Sequence, residues 1–215
     1  MDGSTKRSLT IVSPSETNLA STVLDQEQQT LLLTSANPGA GTSTSAMALA
    51  NQLASMSNGQ VLLVDASQST NNLSQQLGLH RQRGFRDLLF NHDSPPVLED
   101  CILHLPSLPF HMLPNGRQLR SQERLNPERL RPLLKELADQ YRFVVIDGDA
   151  IYSANDTLVL GTLVDGVVLV VRAEDTRWEV AQAAAQRLTQ AGAKMVGSVF
   201  NARKYYMPKW LYRNL

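Results

Sequence analysis

The sequence has a single cysteine, Cys101, so no internal disulfide can form, and a chain of this kind fits a reducing compartment. It has no apolar run long enough to form a membrane-crossing helix. Met1 to Thr10 contains no apolar segment of the kind a secretory leader needs. The formal net charge is zero, which argues against a general nucleic-acid binder. No repeat and no extended low-complexity tract is visible. His80, His92, His104 and His111 show no metal-ligand spacing, and with one cysteine a zinc site is not expected. These absences leave a soluble cytoplasmic domain as the expectation.

Among what is present, charge is unevenly placed. After Glu179 there is no further acid, while Arg187, Lys194, Arg203, Lys204, Lys209 and Arg213 follow. The chain of 215 residues suits one α/β domain with an ample core. Residues 1–28 are rich in Ser, Thr and Gln and read as a flexible arm with one short helix. From there, short apolar runs alternate with amphipathic stretches. The runs are 31–34, 61–64, 111–113, 143–146, 166–171 and 195–199. The predicted helices cover 43–56, with Met47, Leu49, Ala50 and Leu53 as the apolar face, then 73–77, 85–90, 127–140, 156–163 and 177–191. Uninterrupted apolar strands between crossover helices describe a doubly wound, mostly parallel sheet covered by helices on both faces. The expected domain spans 29–203, followed by a tail over 204–215.

The first apolar run leads into Ala36-Asn37-Pro38-Gly39-Ala40-Gly41-Thr42-Ser43-Thr44, between a strand and a helix. Glycines there let backbone N–H groups converge on phosphate oxygens, and the helix N-terminus adds partial positive charge. A complete phosphate loop carries Lys after its last glycine and then Ser or Thr for Mg²⁺. Ser43 is present, but Thr42 holds the lysine position and Ala36 the first glycine position. A Gly/Ser turn opening a helix is also an ordinary βα connection. Asp65 and Asp147 sharpen the reading, because each ends an apolar strand at the sheet edge where open α/β folds bind ligands. An acid after such a run is how nucleotide-hydrolysing domains hold Mg²⁺, although strand-end acids also cap helices.

Taken together, 34–44 with its phosphate loop, Val61-Leu62-Leu63-Val64-Asp65-Ala66, Phe143-Val144-Val145-Ile146-Asp147, 163–172 and Gly197-Ser198-Val199-Phe200-Asn201 resemble one family in order and spacing. It is the family of bacterial tyrosine kinases of capsule and exopolysaccharide synthesis, within the wider group of septum-placement and plasmid-partition ATPases. The resemblance covers roughly residues 30–203. It implies a P-loop NTPase-like fold, a phosphate site at Gly39, Ala40, Gly41, Thr42, Ser43 and Thr44, and Mg²⁺ at Ser43, Asp65 and Asp147. It further implies Asn201 on the base side and an inner-membrane polysaccharide co-polymerase as partner.

The sequence departs from that family where catalysis resides. Thr42 is uncharged and short, and the acid that usually follows Asp65 by two positions is Ser67. Gly148-Asp149-Ala150 stands where Thr-Pro-Pro is usual, and residues 13–29 hold Glu16 but no arginine for ring assembly. Asp65 and Asp147 then read as vestigial, and no catalytic residue is expected. The loop amides, Ser43 and Asn201 retain a capacity for weak ATP or ADP binding with Mg²⁺. The expectation is a non-catalytic, pseudokinase-like accessory protein of exopolysaccharide or capsule biosynthesis. The alternatives are an active ATP-dependent tyrosine autokinase, with Lys6 or Arg203 standing in for the lysine, and a localisation ATPase that dimerises with nucleotide at a membrane.

The tail mixes Arg203, Lys204, Lys209 and Arg213 with Tyr205, Tyr206, Trp210 and Tyr212. That composition suits an anionic membrane surface, a partner's docking site, or packing on the domain itself. The tyrosines make a poor acceptor cluster for autophosphorylation. Cys101 lies in an apolar stretch and reads as buried, Asp149 as a loop carboxylate or, beside Asp147, a second metal acid, and 128–139 as a solvated helix face.

Overall fold

Apolar runs without alternation need burial on both faces, and the central strands obtain it. The computed structural model describes residues 11–12, 19–25, 28–91, 94, 96–117, 124–173 and 175–201. Within them, β1 (Ile11–Val12), β2 (Thr30–Ser35), β3 (Val61–Asp65), β4 (Leu103–His104), β5 (His111–Leu113), β6 (Phe143–Asp147), β7 (Gly166–Arg172) and β8 (Met195–Asn201) form one eight-stranded sheet. The order is β1-β8-β7-β2-β6-β3-β5-β4. Every pairing is parallel except that of β4 with β5. This is the doubly wound, mostly parallel sheet expected from the sequence.

Side-chain alternation divides the core into two layers. Leu31, Leu33, Val61, Leu63, Val145, Val168 and Val170 face α1 (Leu19–Asp25), α2 (Thr42–Met56) and α3 (Leu73–Gln76). Leu32, Leu62, Val64, Val144, Ile146, Val167 and Leu169 face α4 (Phe85–Phe90), α5 (Pro127–Gln140), α6 (Asp156–Leu163) and α7 (Trp178–Gln190). On α2 the buried set is Ala46, Leu49, Ala50 and Leu53, with Met47 half-buried beside it.

Helix boundaries follow local chemistry. Pro127 opens α5, where its missing N–H costs nothing, and the Asn126 side chain accepts from the Glu128 N–H at 2.9 Å. The stretch 1–28, read from sequence as an arm, supplies α1 and β1. Ala20 and Val23 of α1 are buried in the α2 layer, and β1 extends the sheet beyond β8.

The strand order fixes the site. β2 lies at the centre with β6 and β7 on either side, so the loop after β2 and the end of β6 meet at one sheet edge. Asp65 and Asp147 stand opposite each other there, in register across β3 and β6.

Candidate functional site

The chain leaves β2 at Ser35 and enters α2 through the predicted phosphate loop. Gly39 and Gly41 take left-handed backbone at φ 82° and 86°, a conformation that only glycine adopts without strain. Gly41 caps α2 without a side chain, so no cap hydrogen bond covers the first-turn amides. That arrangement of open N–H groups and helix dipole is suited to an anion.

Side chains from the next strands hold the loop. Arg172 Nη1, at the end of β7, donates to the Gly39 carbonyl at 3.3 Å. Asn201 Nδ2, at the end of β8, donates to the Ala40 carbonyl at 3.0 Å. Arg172 and Asn201 are register partners, which is why they arrive together. A Cβ at Gly41 would lie 1.8 Å from Asn201 Nδ2, so Asn201 lies directly on the loop. Its role toward a base was an expectation; the position found is against the phosphate loop.

Between the loop, residues 67–71 and residues 148–154 lies a cleft of about 660 Å³. Thr42, Ser43, Thr44, Ser67 and Thr70 give it a hydroxyl-rich wall. Among the described residues no lysine or arginine lines it, and Asp149 does. Ala40 of the predicted loop is buried behind this wall. Lys6 and Arg203, the stand-in cations suggested by sequence, lie outside the described residues, as do Tyr205, Tyr206 and Tyr212.

The carboxylates differ in how they are satisfied. Asp65 accepts from the Ser74 N–H at 2.7 Å, the Ser74 hydroxyl at 2.6 Å and the Ser67 N–H at 3.2 Å. Burial raises its pKa to about 6 against the lowering effect of those bonds. Asp147 is fully buried, and neither of its oxygens has a hydrogen-bond partner of ordinary geometry. Burial above all, with the neighbouring Asp65 and Asp149, raises its pKa to about 8 against the lowering effect of the Ser43 hydroxyl. Asp149 accepts from the Ser67 hydroxyl at 2.6 Å and from the Gln68 N–H at 2.7 Å. Its carbonyl accepts from Thr34 Oγ1 at 2.7 Å and Thr157 Oγ1 at 3.1 Å.

A hard cation fits one part of the implied Mg²⁺ set. The orphaned oxygens of Asp147 beside the Ser43 hydroxyl are the donor chemistry that Mg²⁺ takes, directly or through water. Asp65 has its lone pairs engaged by Ser67 and Ser74 and has less to offer. An acid at position 67 would repel Asp149, whereas the serine present bonds it. The sequence treated Asp149 as a loop group and passed over Arg172. The Asp-Gly-Asp spacing was a signal for Asp149; Arg172 had none, because strand pairing alone brings it to Gly39.

No family model matches the chain. It is similar to the tyrosine-protein kinase YwqD of Bacillus subtilis, with 28% identity over 190 residues, 87% of this chain and 78% of that protein. It is also similar to the tyrosine-protein kinase Etk of Escherichia coli K12, 26% identical over 86% of this chain but only 25% of Etk. The chain thus spans about a quarter of that longer relative. Among solved structures, the VpsO kinase domain superposes with a TM-score of 0.73 at 28% identity, covering 86% of this chain and 95% of that domain.

Proposed function

We propose, from the premise that this chain belongs to the bacterial tyrosine-kinase family, that it is a non-catalytic, pseudokinase-like accessory protein of capsule or exopolysaccharide biosynthesis. It acts by binding, with an inner-membrane polysaccharide co-polymerase as the partner, and works in the cytoplasm at the inner face of that membrane. Among the described residues no helix is long and apolar enough to cross a membrane.

The observation that carries this reading is the cleft without a cation. Thr42 replaces the loop lysine, no other lysine or arginine lines the cleft among the described residues, and Asp149 adds negative charge. Losing a charged hydrogen bond to phosphate costs about 1.5–3 kcal/mol, roughly 10- to 100-fold in affinity. The loss in phosphoryl transfer is larger, because the same charge stabilises the transition state. Weak ATP or ADP binding with Mg²⁺ through the loop amides, Ser43 and Asp147 is compatible with this role.

Calorimetric titration with MgATP and MgADP tests it. The natural chain should give no saturable heat at micromolar nucleotide, while Thr42→Lys should gain binding. Micromolar affinity in the natural chain would overturn the reading.

One observation favours a second reading, an active tyrosine autokinase. Arg172 is hydrogen-bonded to the loop at Gly39 and is half exposed, so its guanidinium can swing toward a bound phosphate. In that case the natural chain becomes phosphorylated on tyrosine with MgATP, and Arg172→Ala abolishes it.

A further inference from the structure

At the edge of the sheet, two imidazoles stand together for a reason the cleft does not supply. β4 and β5 pair antiparallel, with His104 directly opposite His111. Residues so placed share one face, with Cβ atoms about 4.5–5.5 Å apart. The ring centroids are 3.6 Å apart and the planes are inclined by 51°. His104 is exposed and His111 half-buried.

A third ring orients the pair. His111 Nδ1 lies 2.9 Å from the Tyr141 hydroxyl, and the buried Tyr141 ring meets His111 edge-on at 5.5 Å. When Nδ1–H donates to the phenol oxygen, Nε2 carries the lone pair. Metal-ligating histidines are held this way, one nitrogen on an orienting group and the other on the metal. Among the described residues His104 has no hydrogen-bond partner, so its ring nitrogens remain available.

We propose that His104 and His111 form a bidentate site for a late divalent transition metal such as Zn²⁺ or Cu²⁺, with Tyr141 as the positioning residue. Imidazole pairs select such metals over Mg²⁺, which demands oxygen. Among the described residues no third His, Cys, Asp or Glu completes the set. The bridge joins β4, a strand of two residues at the end of the sheet, to β5. A bound metal would therefore fasten this two-residue strand to β5, its neighbour among the described residues. The site owes nothing to the nucleotide cleft, which sits at the ends of β2 and β6.

The test is titration of the chelator-treated full chain with ZnCl₂ and, separately, CuCl₂, followed by calorimetry and thermal melting. One equivalent per chain should bind and raise the melting temperature, and MgCl₂ should not reproduce it at this site. His104→Gln, at an exposed position that leaves the fold intact by circular dichroism, should lose binding at least tenfold, and His111→Gln likewise. Tyr141→Phe should weaken it roughly tenfold, within the 10- to 100-fold typical of orienting partners. Asp147→Asn should leave the Zn²⁺ isotherm unchanged. The proposal is overturned by an absence of saturable binding to the natural chain. Binding that survives in His104→Gln, or that disappears in Asp147→Asn, overturns it equally.

Discussion

Thr42 and Asp149 both line the cleft, and neither helps it hold a polyphosphate. Asp147 shows what burial does to a carboxylate whose oxygens lack hydrogen-bond partners of ordinary geometry. With both oxygens orphaned and burial raising its pKa to about 8, it is largely protonated at neutral pH in the folded chain. In the unfolded chain an aspartate ionises near pH 4. Between these values the native state holds the extra proton, so this group's contribution is complete below about pH 4 and is lost as pH rises toward 8. Asp65, raised to about 6, acts in the lower part of that window. Measurement from pH 7 to 8 lies above the Asp65 range and above most of the opposing titration of His111, whose pKa burial lowers, so Asp147 dominates the slope. Urea unfolding of the natural chain should show stability falling by up to about 1.4 kcal/mol per pH unit there. Asp147→Asn should flatten the slope, and millimolar Mg²⁺ at pH 8 should partly offset it by favouring the carboxylate. Equal slopes in the two proteins would remove Asp147 as the cause.

At the scale of elements, the phosphate loop and α5 each invite a measurement. Gly41 combines left-handed backbone with an approach to Asn201 that leaves no room for a Cβ. Gly41→Ala should cost about 1–2 kcal/mol for the backbone alone, with more from displacing Asn201. In an Asn201→Ala background the second part should vanish, which a double-mutant cycle by chemical denaturation reads directly. Pro132 sits inside α5 at an exposed position, where it removes a helix hydrogen bond. Pro132→Ala should stabilise by about 1–3 kcal/mol, less whatever the freer unfolded chain takes back. At roughly 2–4 °C per kcal/mol for a chain of this size, a thermal melt resolves the gain. These elements also mark what sequence can tell. Helices 85–90, 127–140 and 156–163 and the strand at 111–113 were legible in the sequence, and the run 143–146 falls one residue short of β6, because caps and apolar runs are local. The two-residue strands β1 and β4 were not, since nothing within so short a segment specifies pairing. The His104–His111 pair, the Arg172 contact and the placement of Asn201 on the loop share that cause. Each is created by strand register, which the chain's local pattern does not encode.

For the molecule as a whole, a net charge of zero conceals a gradient. All acids lie at or before Glu179, and six cations follow without one. The last four, Arg203, Lys204, Lys209 and Arg213, fall outside the described residues but immediately follow β8. Near an anionic leaflet each cation contributes about 1 kcal/mol. Four together give roughly 4 kcal/mol, which corresponds to a dissociation constant of about 1 mM. Tyr205, Tyr206, Trp210 and Tyr212 strengthen that only if their rings reach headgroup depth. Sedimentation with vesicles should therefore show modest retention on anionic lipid at low salt and little on neutral lipid. Retention should fall as the Debye length shrinks toward 3 Å at about 1 M salt, and disappear on removal of 204–215. Millimolar attraction cannot by itself keep a protein at a membrane, so on the proposed reading stable placement would need a protein partner as a second contact. Tight, salt-resistant binding to vesicles alone would reverse that conclusion and make the tail, rather than a co-polymerase, the anchor.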